Sequence, residues 1–302
     1  MAEEFTVGER LTGTLTRARA AADGPVGSGH LLFSAAYDKE VAPLLGAFDI
    51  TSLVVLTVLR DPDAPVDSGE ETSARGTDGR TVPVSAVAAT ALSRAQDSPV
   101  ALLAALLADP AFGASAVVRA CGVAPGEVRQ AALDGRPPQR ADRLAPELRP
   151  ARDALIGRVR YRGRGLRDRL LFSVLARQSN HAARPVLWAR LEADERARGE
   201  NRPTRTDDVL LAMLVTHEVA AAYPHLSRVA KDGYGGGERL LAEGVDQARV
   251  RAARIDGPDA VPPAKILVPG PDWTEDTGVL LDRLTAHPGN RAARLLQSLR
   301  TV

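Results

Sequence analysis

Hydrophobic residues recur every three or four positions over most of the chain, a spacing that is typical of amphipathic helices. In the first such segment, Leu11, Leu15 and Ala18 fall on one stripe. Thr6 and Glu9, ahead of that stripe, have the spacing of a capping box, in which two side chains satisfy free backbone N–H groups. We therefore expect a helix that begins near Thr6, followed by a series of further short helices.

Several stretches depart from this pattern. Residues 49–60, DITSLVVLTVLR, have the composition of a strand, but they follow three predicted helices and no predicted strand, so we expect a buried fourth helix. Residues 61–80 contain almost no large apolar side chain, which predicts a linker or mobile loop. Breaks are also expected at 134–142 and 255–273, and the glycine-rich residues 233–239 are expected to form a flexible loop.

A hydroxyl residue followed by apolar residues three and four positions later occurs at Ser28, Ser98, Thr206 and Thr277. Each hydroxyl is expected to cap the start of a helix. The first two lie 70 residues apart and the last two 71. Chance recurrence in an Ala- and Leu-rich chain is the alternative, but the shared pattern and the nearly equal separations favour internal repeats.

This series resembles the Clp N-terminal repeat domain, which precedes the AAA+ motor of Clp unfoldases, particularly the ClpC type. The motifs that carry the resemblance lie in four successive copies: FTVGER, VGSGHLLF and EVAPLLGAFDI; SPVALLAALL and SAVVRACGVAPGEVRQAAL; LWARLEADERARGENRPTRTDDVLLAML; and TGVLLDRLTAHPGNRAARLLQSL. The resemblance implies an all-α fold of tandem Clp N-type helical repeats, arranged as two pseudo-twofold double-repeat units. The first unit is expected over residues 1–135, with the mobile loop at 61–80, and the second, more degenerate unit over 136–302.

The copies also depart from the family pattern. The second copy is short between its first and second helices. The fourth has no recognisable first helix, because Pro258, Pro262 and Pro263 fall where that helix is expected. The stretch quoted for the third copy is the closest to the family pattern.

The resemblance also implies a ligand site. In ClpC-type domains, a Thr-Glu step at the start of the second helix and a threonine near the first helix form pockets for phosphorylated arginine. By position, this implies ligand-binding roles for Thr6, Ser28, Thr206 and Asp207. Gly29 stands where the first copy needs its acid, so Thr206–Asp207 is the step that keeps both hydroxyl and carboxylate. Asp207 has an alternative role, since an acid in the first turn suits the helix dipole.

Catalytic and metal-binding motifs are missing from the sequence. Lys39, Lys231 and Lys265 all lie outside a Walker A pattern, which needs a lysine after a glycine-rich loop, so no ATPase activity is expected. Cys121 is the single cysteine, and His217 lacks a second histidine four residues later. We expect no enzyme activity, no metal and no cofactor. An enzyme remains an alternative, and it predicts a deep polar pocket with strongly perturbed titrating groups.

The expected function is therefore that of a non-catalytic binding protein. The resemblance predicts an accessory factor or decoy for a Clp protease, with Clp components, adaptors, peptides or cyclic-peptide ligands as partners; as a decoy it would sequester cyclic-peptide antibiotics. The net charge of +1 gives no general argument for binding nucleic acid or a membrane. The sequence has no apolar run of membrane length and no secretory signal, so we expect a cytoplasmic protein.

One basic segment supports an alternative function. Residues 158–169, RVRYRGRGLRDR, combine arginines with a tyrosine. Such a segment can bind the phosphate backbone of a nucleic acid, here through Arg158, Arg160, Arg162 and Arg164. The other interpretation is a solvated helix end and loop in a nearly neutral protein.

Overall fold

The structure is a computed structural model that describes residues 4–64, 67, 70–161, 180–267 and 275–300. The chain divides into two compact units, Met1–Asp142 and Arg143–Val302. The described residues are mostly helical, which confirms the helical character predicted from the sequence. The division lies close to the boundary expected after residue 135, but on the far side of the predicted break at 134–142.

The first unit is built mainly from short helices. Those described are α1 (Glu9–Ala21), α2 (Ser28–Ala35), α3 (Ala42–Gly46), α4 (Ser52–Leu59), α5 (Ala86–Arg94), α6 (Pro99–Leu106), α7 (Gly113–Ala120) and α8 (Pro125–Asp134). Helix α2 packs against α1 and α4, and α6 packs correspondingly against α5 and α8. Helices α2 and α6 also contact each other, so one hydrophobic core extends from Val7 to Ala132.

The segment with strand-like composition forms helix α4, as predicted. Its N-cap is Thr51, whose hydroxyl accepts a hydrogen bond from the amide of Val54 at 3.3 Å. Val54, Val55 and Val58 are buried, and burial of this apolar surface outweighs the weak helix propensity of β-branched side chains. Packing therefore decides the conformation of this segment.

A small sheet in the first unit corrects two predictions. Its strands are β1 (Glu4–Thr6), β2 (Glu71–Arg75) and β3 (Thr81–Ser85). Strand β2 pairs in parallel with β1 and antiparallel with β3. Residues 61–80 are therefore not wholly irregular, because part of that segment pairs with two strands and buries Ala74.

Thr6 lies in β1, opposite Arg75, and does not cap α1. The N-cap of α1 is Gly8, and the helix start is instead satisfied by a distant side chain. Asp97 accepts from the amide of Leu11 at 3.0 Å and from the amide of Arg10 at 3.3 Å. The capping box was the wrong interpretation because the sheet draws the preceding residues into extended conformation.

The second unit is built around one long buried helix. Its described helices are α9 (Arg149–Leu155), α10 (Pro185–Gly199), α11 (Thr206–Ala222), α12 (Pro224–Ser227), α13 (Gly235–Ala242), α14 (Gln247–Ala252), α15 (Pro263–Ile266), α16 (Thr277–Thr285) and α17 (Arg291–Arg300), with 3-10 turns at Pro146–Leu148, His181–Ala183 and Arg228–Tyr234. Helix α11 packs against α10, α13, α14 and α17, and α13 packs against α16. The glycine-rich residues 233–239 are thus not a flexible loop, because they form the end of a 3-10 turn and the start of α13.

Proline limits helix formation between α14 and α16. The described residues there contain only the short helix α15, which begins at Pro263. Among the described residues, no single helix is long and apolar enough to span a membrane; α11 together with residues 224–242 reaches that length and apolarity only as a pair bent by 109°.

Candidate functional site

Two helix starts meet in the first unit, at Ser28 of α2 and Gly113 of α7. The hydroxyl of Ser28 donates to the carboxylate of Asp67 at 2.7 Å and accepts from the amide of Ala114 at 2.9 Å. Asp67 also accepts from the amide of Gly113 and from the hydroxyl of Ser85, both at 2.8 Å. The carboxylate therefore satisfies backbone donors at both helix starts and suits the positive ends of both helix dipoles.

The second unit contains the same arrangement at Thr206 of α11 and Arg291 of α17. The hydroxyl of Thr206 donates to Asp259 and accepts from the amide of Ala292 at 2.9 Å. Asp259 also accepts from the amides of Thr206 at 3.0 Å and Arg291 at 2.8 Å. In each unit, 86 residues separate the hydroxyl residue from the residue whose amide it accepts.

A third pair of helix starts lies in the second unit, at Gly235 of α13 and Thr277 of α16. The hydroxyl of Thr277 accepts from the amide of Gly236 at 3.0 Å, and Asp276 accepts from the amide of Gly235 at 2.8 Å. A Cβ atom at Gly236 would lie 2.4 Å from the carbonyl oxygen of Thr277, so glycine permits the close approach. We call each pair of helix starts joined by a hydroxyl, an amide and an aspartate a clasp.

The clasps determine what two of the predicted ligand-binding residues, Ser28 and Thr206, can do, and a third, Thr6, lies in the sheet. Ser28 and Thr206 are buried, and each hydroxyl already donates to an aspartate and accepts an amide hydrogen. As placed, neither is open to a ligand. Thr6 is exposed on β1, where its backbone pairs with β2.

Asp207, the fourth predicted residue, holds a guanidinium group from its own chain. Arg291 donates through Nε to one carboxylate oxygen at 3.0 Å and through Nη2 to the other at 2.9 Å. Its Nη1 donates to the carbonyl oxygen of Gly257 at 2.8 Å. The side chains of Arg291 and Asp207 are 9% and 18% exposed. The hydrogen bonds to Asp207 are the main cause that raises the pKa of Arg291, so the pair is ionic.

The next acid along α11, Asp208, makes a second bidentate pair. Its side chain is 3% exposed and accepts from Arg202 at 2.6 and 2.7 Å. It also accepts from the amide of Arg205 at 2.9 Å and lies 3.4 Å from Nε of Arg196. Sequence reasoning missed this residue, although an acid at the third position of a helix is a known signal for a capped start.

A groove lies beside the second clasp. Its volume is about 610 Å³, and its lining combines proline rings with charged groups, among them Pro203, Arg205, Pro258, Asp259, Pro262 and Arg291. Arg291 lines the groove, whereas Asp207, to which it is bound, does not. A ligand in the groove would therefore contact Arg291, whose guanidinium occupies the carboxylate of Asp207.

A partly buried polar cluster in the second unit has groups with strongly shifted pKa values. The hydroxyl of Tyr161 donates to Glu192 and accepts from Nε1 of Trp188 at 2.8 Å. Burial raises the pKa of Glu192 to about 7 and that of Tyr161 well above its ordinary value. Burial lowers the pKa of neighbouring His181 to about 4. Such shifts occur both at catalytic sites and in structural networks, and Trp188 in this cluster is fully buried.

No group of three or more His, Cys, Asp or Glu side chains is arranged to hold a metal ion in the part of the chain that the structure describes. Cys121 is partly buried and packs against the hydrophobic core of the first unit, and burial raises the pKa of its thiol to about 12. His217 packs near the ring of Tyr234, and burial lowers its pKa.

The basic segment is described only in part. Arg158 donates to Asp153 at 3.2 Å, and Arg160 is exposed. Arg162 and Arg164 lie outside the described residues. The alternative nucleic-acid site therefore has two of its four arginines placed, one of them in an ion pair.

Comparisons with known proteins identify no relative of this chain: no family model matches it, and neither does a curated protein or a solved structure. The resemblance to Clp N-terminal repeats therefore rests on the sequence motifs alone. The geometry of the clasps and the groove is an independent observation.

Proposed function

We propose that this chain is a Clp N-domain-like binding protein, built from two double-repeat units. The observation that carries the proposal is the set of clasps. In each clasp, a hydroxyl residue that the repeat pattern singles out accepts the amide of the second residue of another helix: Ser28 with Ala114, Thr206 with Ala292 and Thr277 with Gly236.

The clasps fit a pseudo-twofold relationship between the copies of a unit. In the second unit, the start of the third copy's second helix meets the third helix of the fourth copy, at Thr206 and Ala292. The reciprocal contact is also present, at Thr277 and Gly236. Reciprocal contacts of this kind are what a twofold axis between two copies produces.

The fourth contact of this series does not form, and its absence has a chemical reason. Ser98 is the corresponding hydroxyl residue, and its oxygen accepts from the amide of Ala101 in its own helix at 3.3 Å. The second residue of α3, which would have to supply the amide, is Pro43. Proline has no N–H to donate, so Ser98 remains an ordinary N-cap, as the sequence predicts.

The groove beside the second clasp is the ligand surface in this proposal. Its proline walls are apolar and rigid, and Arg205, Asp259 and Arg291 supply polar groups, a combination typical of small-molecule and peptide sites. The ligands are peptides, adaptors or cyclic-peptide ligands of a Clp unfoldase. The protein then acts in the cytoplasm as an accessory factor of a Clp protease, or as a decoy that sequesters cyclic-peptide antibiotics.

The test is calorimetric titration of the full chain with a phosphoarginine peptide and with a cyclic-peptide ligand of the unfoldase N-domain, together with capture of a purified Clp unfoldase. Binding of any of the three supports the proposal. A Pro258→Glu variant, which places a charge in the groove wall, should lose binding, whereas the exposed Asp282→Asn variant should keep it. A folded protein that binds none of the three overturns the proposal.

A degradation assay separates the two roles. An accessory factor changes the rate at which the Clp protease degrades its substrates in the absence of antibiotic. A decoy leaves that rate unchanged in the absence of antibiotic. When a cyclic-peptide antibiotic perturbs the rate, a decoy returns it to the value without antibiotic.

A further inference from the structure

We propose that Arg291 is an internal occupant of a guanidinium-binding site, so that Asp207 becomes available to a guanidinium-bearing ligand only when the Arg291 side chain leaves. The physiological identity of that ligand rests on the proposed function, but the existence of the site does not. The site consists of the two carboxylate oxygens of Asp207 and the carbonyl oxygen of Gly257.

The acceptors of this site match the donors of a guanidinium group. Asp207 accepts in bidentate fashion, from Nε at 3.0 Å and Nη2 at 2.9 Å, and Gly257 accepts from Nη1 at 2.8 Å. A planar guanidinium presents donors in a fixed fork that fits a carboxylate, which a lysine ammonium cannot reproduce. The site is therefore selective for this chemical group.

The groove supplies the route to the site. Arg291 and Gly257 form part of the groove lining and Asp207 does not, and both carboxylate oxygens of Asp207 are occupied by Arg291. Loss of that side chain beyond Cβ leaves Asp207 and the carbonyl oxygen of Gly257 without their guanidinium donors. The adjoining volume of about 610 Å³ has room for the displaced side chain or for a ligand.

The backbone of Arg291 is held independently of its side chain. Its amide donates to Asp259 at 2.8 Å, and the next amide, of Ala292, donates to Thr206 at 2.9 Å. The start of α17 therefore stays in the second clasp when the guanidinium moves.

The neighbouring pair of Asp208 and Arg202 shows what a purely structural pair looks like in this unit. Asp208 is 3% exposed and holds the amide of Arg205 as well as two guanidinium groups. Neither Asp208 nor Arg202 lines the groove. Asp207 differs because Arg291 is its single guanidinium partner among the described residues, and Arg291 lines the groove.

The experiment replaces the missing atoms with a small molecule. In Arg291→Ala, the deleted atoms correspond to N-ethylguanidinium, which is titrated at millimolar concentration into the full-length variant by calorimetry. We expect saturable binding and a rise in the melting temperature, because a ligand that binds only the native state stabilises it. In the double variant Arg291→Ala, Asp207→Asn, the affinity should fall at least tenfold, and the wild-type protein should show no saturable binding.

The matched control is Arg300→Ala on the same helix. It removes a guanidinium from an exposed pair with Glu243 and should create no ethylguanidinium site. If Arg291→Ala does not fold alone, its refolding yield in ethylguanidinium replaces the titration. A yield that rises for Arg291→Ala but not for the double variant supports the site.

A folded Arg291→Ala that binds no ethylguanidinium, or binds it equally well without Asp207, overturns the inference. So does a refolding yield that ethylguanidinium does not change. A phosphoarginine peptide that binds the wild type and Arg291→Ala equally tightly, each through Asp207, overturns the role of Arg291 as occupant while the proposed function stands. Conversely, ethylguanidinium binding to Arg291→Ala supports the site even where no Clp ligand binds.

Discussion

The amide of Ala114 donates to the hydroxyl of Ser28 at 2.9 Å across 86 residues of chain. This bond, with the carboxylate of Asp67, ties the start of α2 to the start of α7 inside the core of the first unit. Leaving a buried donor or acceptor unpaired costs more stability than a neutral hydrogen bond contributes. Because one hydroxyl in a clasp serves more than one partner, its loss should destabilise the fold.

Removing the hydroxyl of Ser28 should therefore destabilise the protein. In Ser28→Ala, the amide of Ala114 and one oxygen of Asp67 lose a partner, and we expect the free energy of unfolding to fall by about 1–3 kcal/mol. Urea denaturation followed by circular dichroism measures this. The control is Thr16→Ala, where an exposed hydroxyl bonds only to its own helix and the change should stay within about 0.5 kcal/mol.

The close approach at the third clasp makes Gly236 sensitive to any side chain. Gly236→Ala would bring a Cβ atom to 2.4 Å from the carbonyl oxygen of Thr277, and we expect a loss of about 1–3 kcal/mol from the forced separation of the two helices. Gly126→Ala in α8 has no atom within 4 Å of the new Cβ and should leave stability unchanged or slightly higher. Equal effects of the two substitutions on the melting temperature would contradict the clasp geometry.

The core of the first unit should show the usual contrast between buried and exposed leucines. Leu103 of α6 is fully buried, and Leu103→Ala should lower the free energy of unfolding by about 2–5 kcal/mol. Leu133 of α8 is 56% exposed, and Leu133→Ala should change it by less than about 0.5 kcal/mol. Denaturant titrations of both variants against the wild type test this.

Glu192 should make stability depend on pH. Burial raises its pKa from the ordinary 4.5 to about 7 in the folded state, so the native protein binds this proton more tightly than the unfolded chain does. The stabilisation from the protonated side chain is complete below pH 4.5 and is lost as the pH rises through 7. Each pH unit in this interval lowers stability by up to about 1.4 kcal/mol.

His181 contributes the opposite slope between pH 4 and 6.5, because burial lowers its folded pKa to about 4. The diagnostic quantity is therefore the difference between wild type and Glu192→Gln, measured as the free energy of unfolding from pH 4.5 to 7.5. The free energy of unfolding of the wild type should fall relative to that of Glu192→Gln as the pH rises. A difference that does not change with pH would show that folding does not raise the pKa of Glu192.

The sequence predicts features that depend on neighbouring residues and misses those that depend on distant ones. Ser98 caps its helix as expected, because an N-cap bond spans three residues. Ser28 and Thr206 are the first residues of their helices, one position beyond the expected caps, and their hydroxyl groups bond instead to aspartates 39 and 53 residues away. No local pattern encodes those partners.

The errors have the same origin. Thr6 and Glu9 have the spacing of a capping box. Strand β2, from the polar segment 61–80, pairs with β1 and holds Thr6 in a strand instead. That strand was missed because Ala74 is the one buried residue in β2, which leaves almost no hydrophobic alternation to detect. The ligand-binding role of Asp207 stays a prediction, but its partner Arg291 lies 84 residues later and was missed for the same reason.

The two loop aspartates have a consequence for the engineering of these units. Two helix starts that face each other bring like partial charges together, and a carboxylate between them offsets the repulsion. Asp67 lies 39 residues after its hydroxyl partner and Asp259 lies 53 residues after its own, yet both reach the same position between two helices. Most of that difference in length lies in the helices between the hydroxyl residue and its aspartate, so the feature common to both units is one carboxylate at the junction, and that carboxylate is the part that engineering has to preserve.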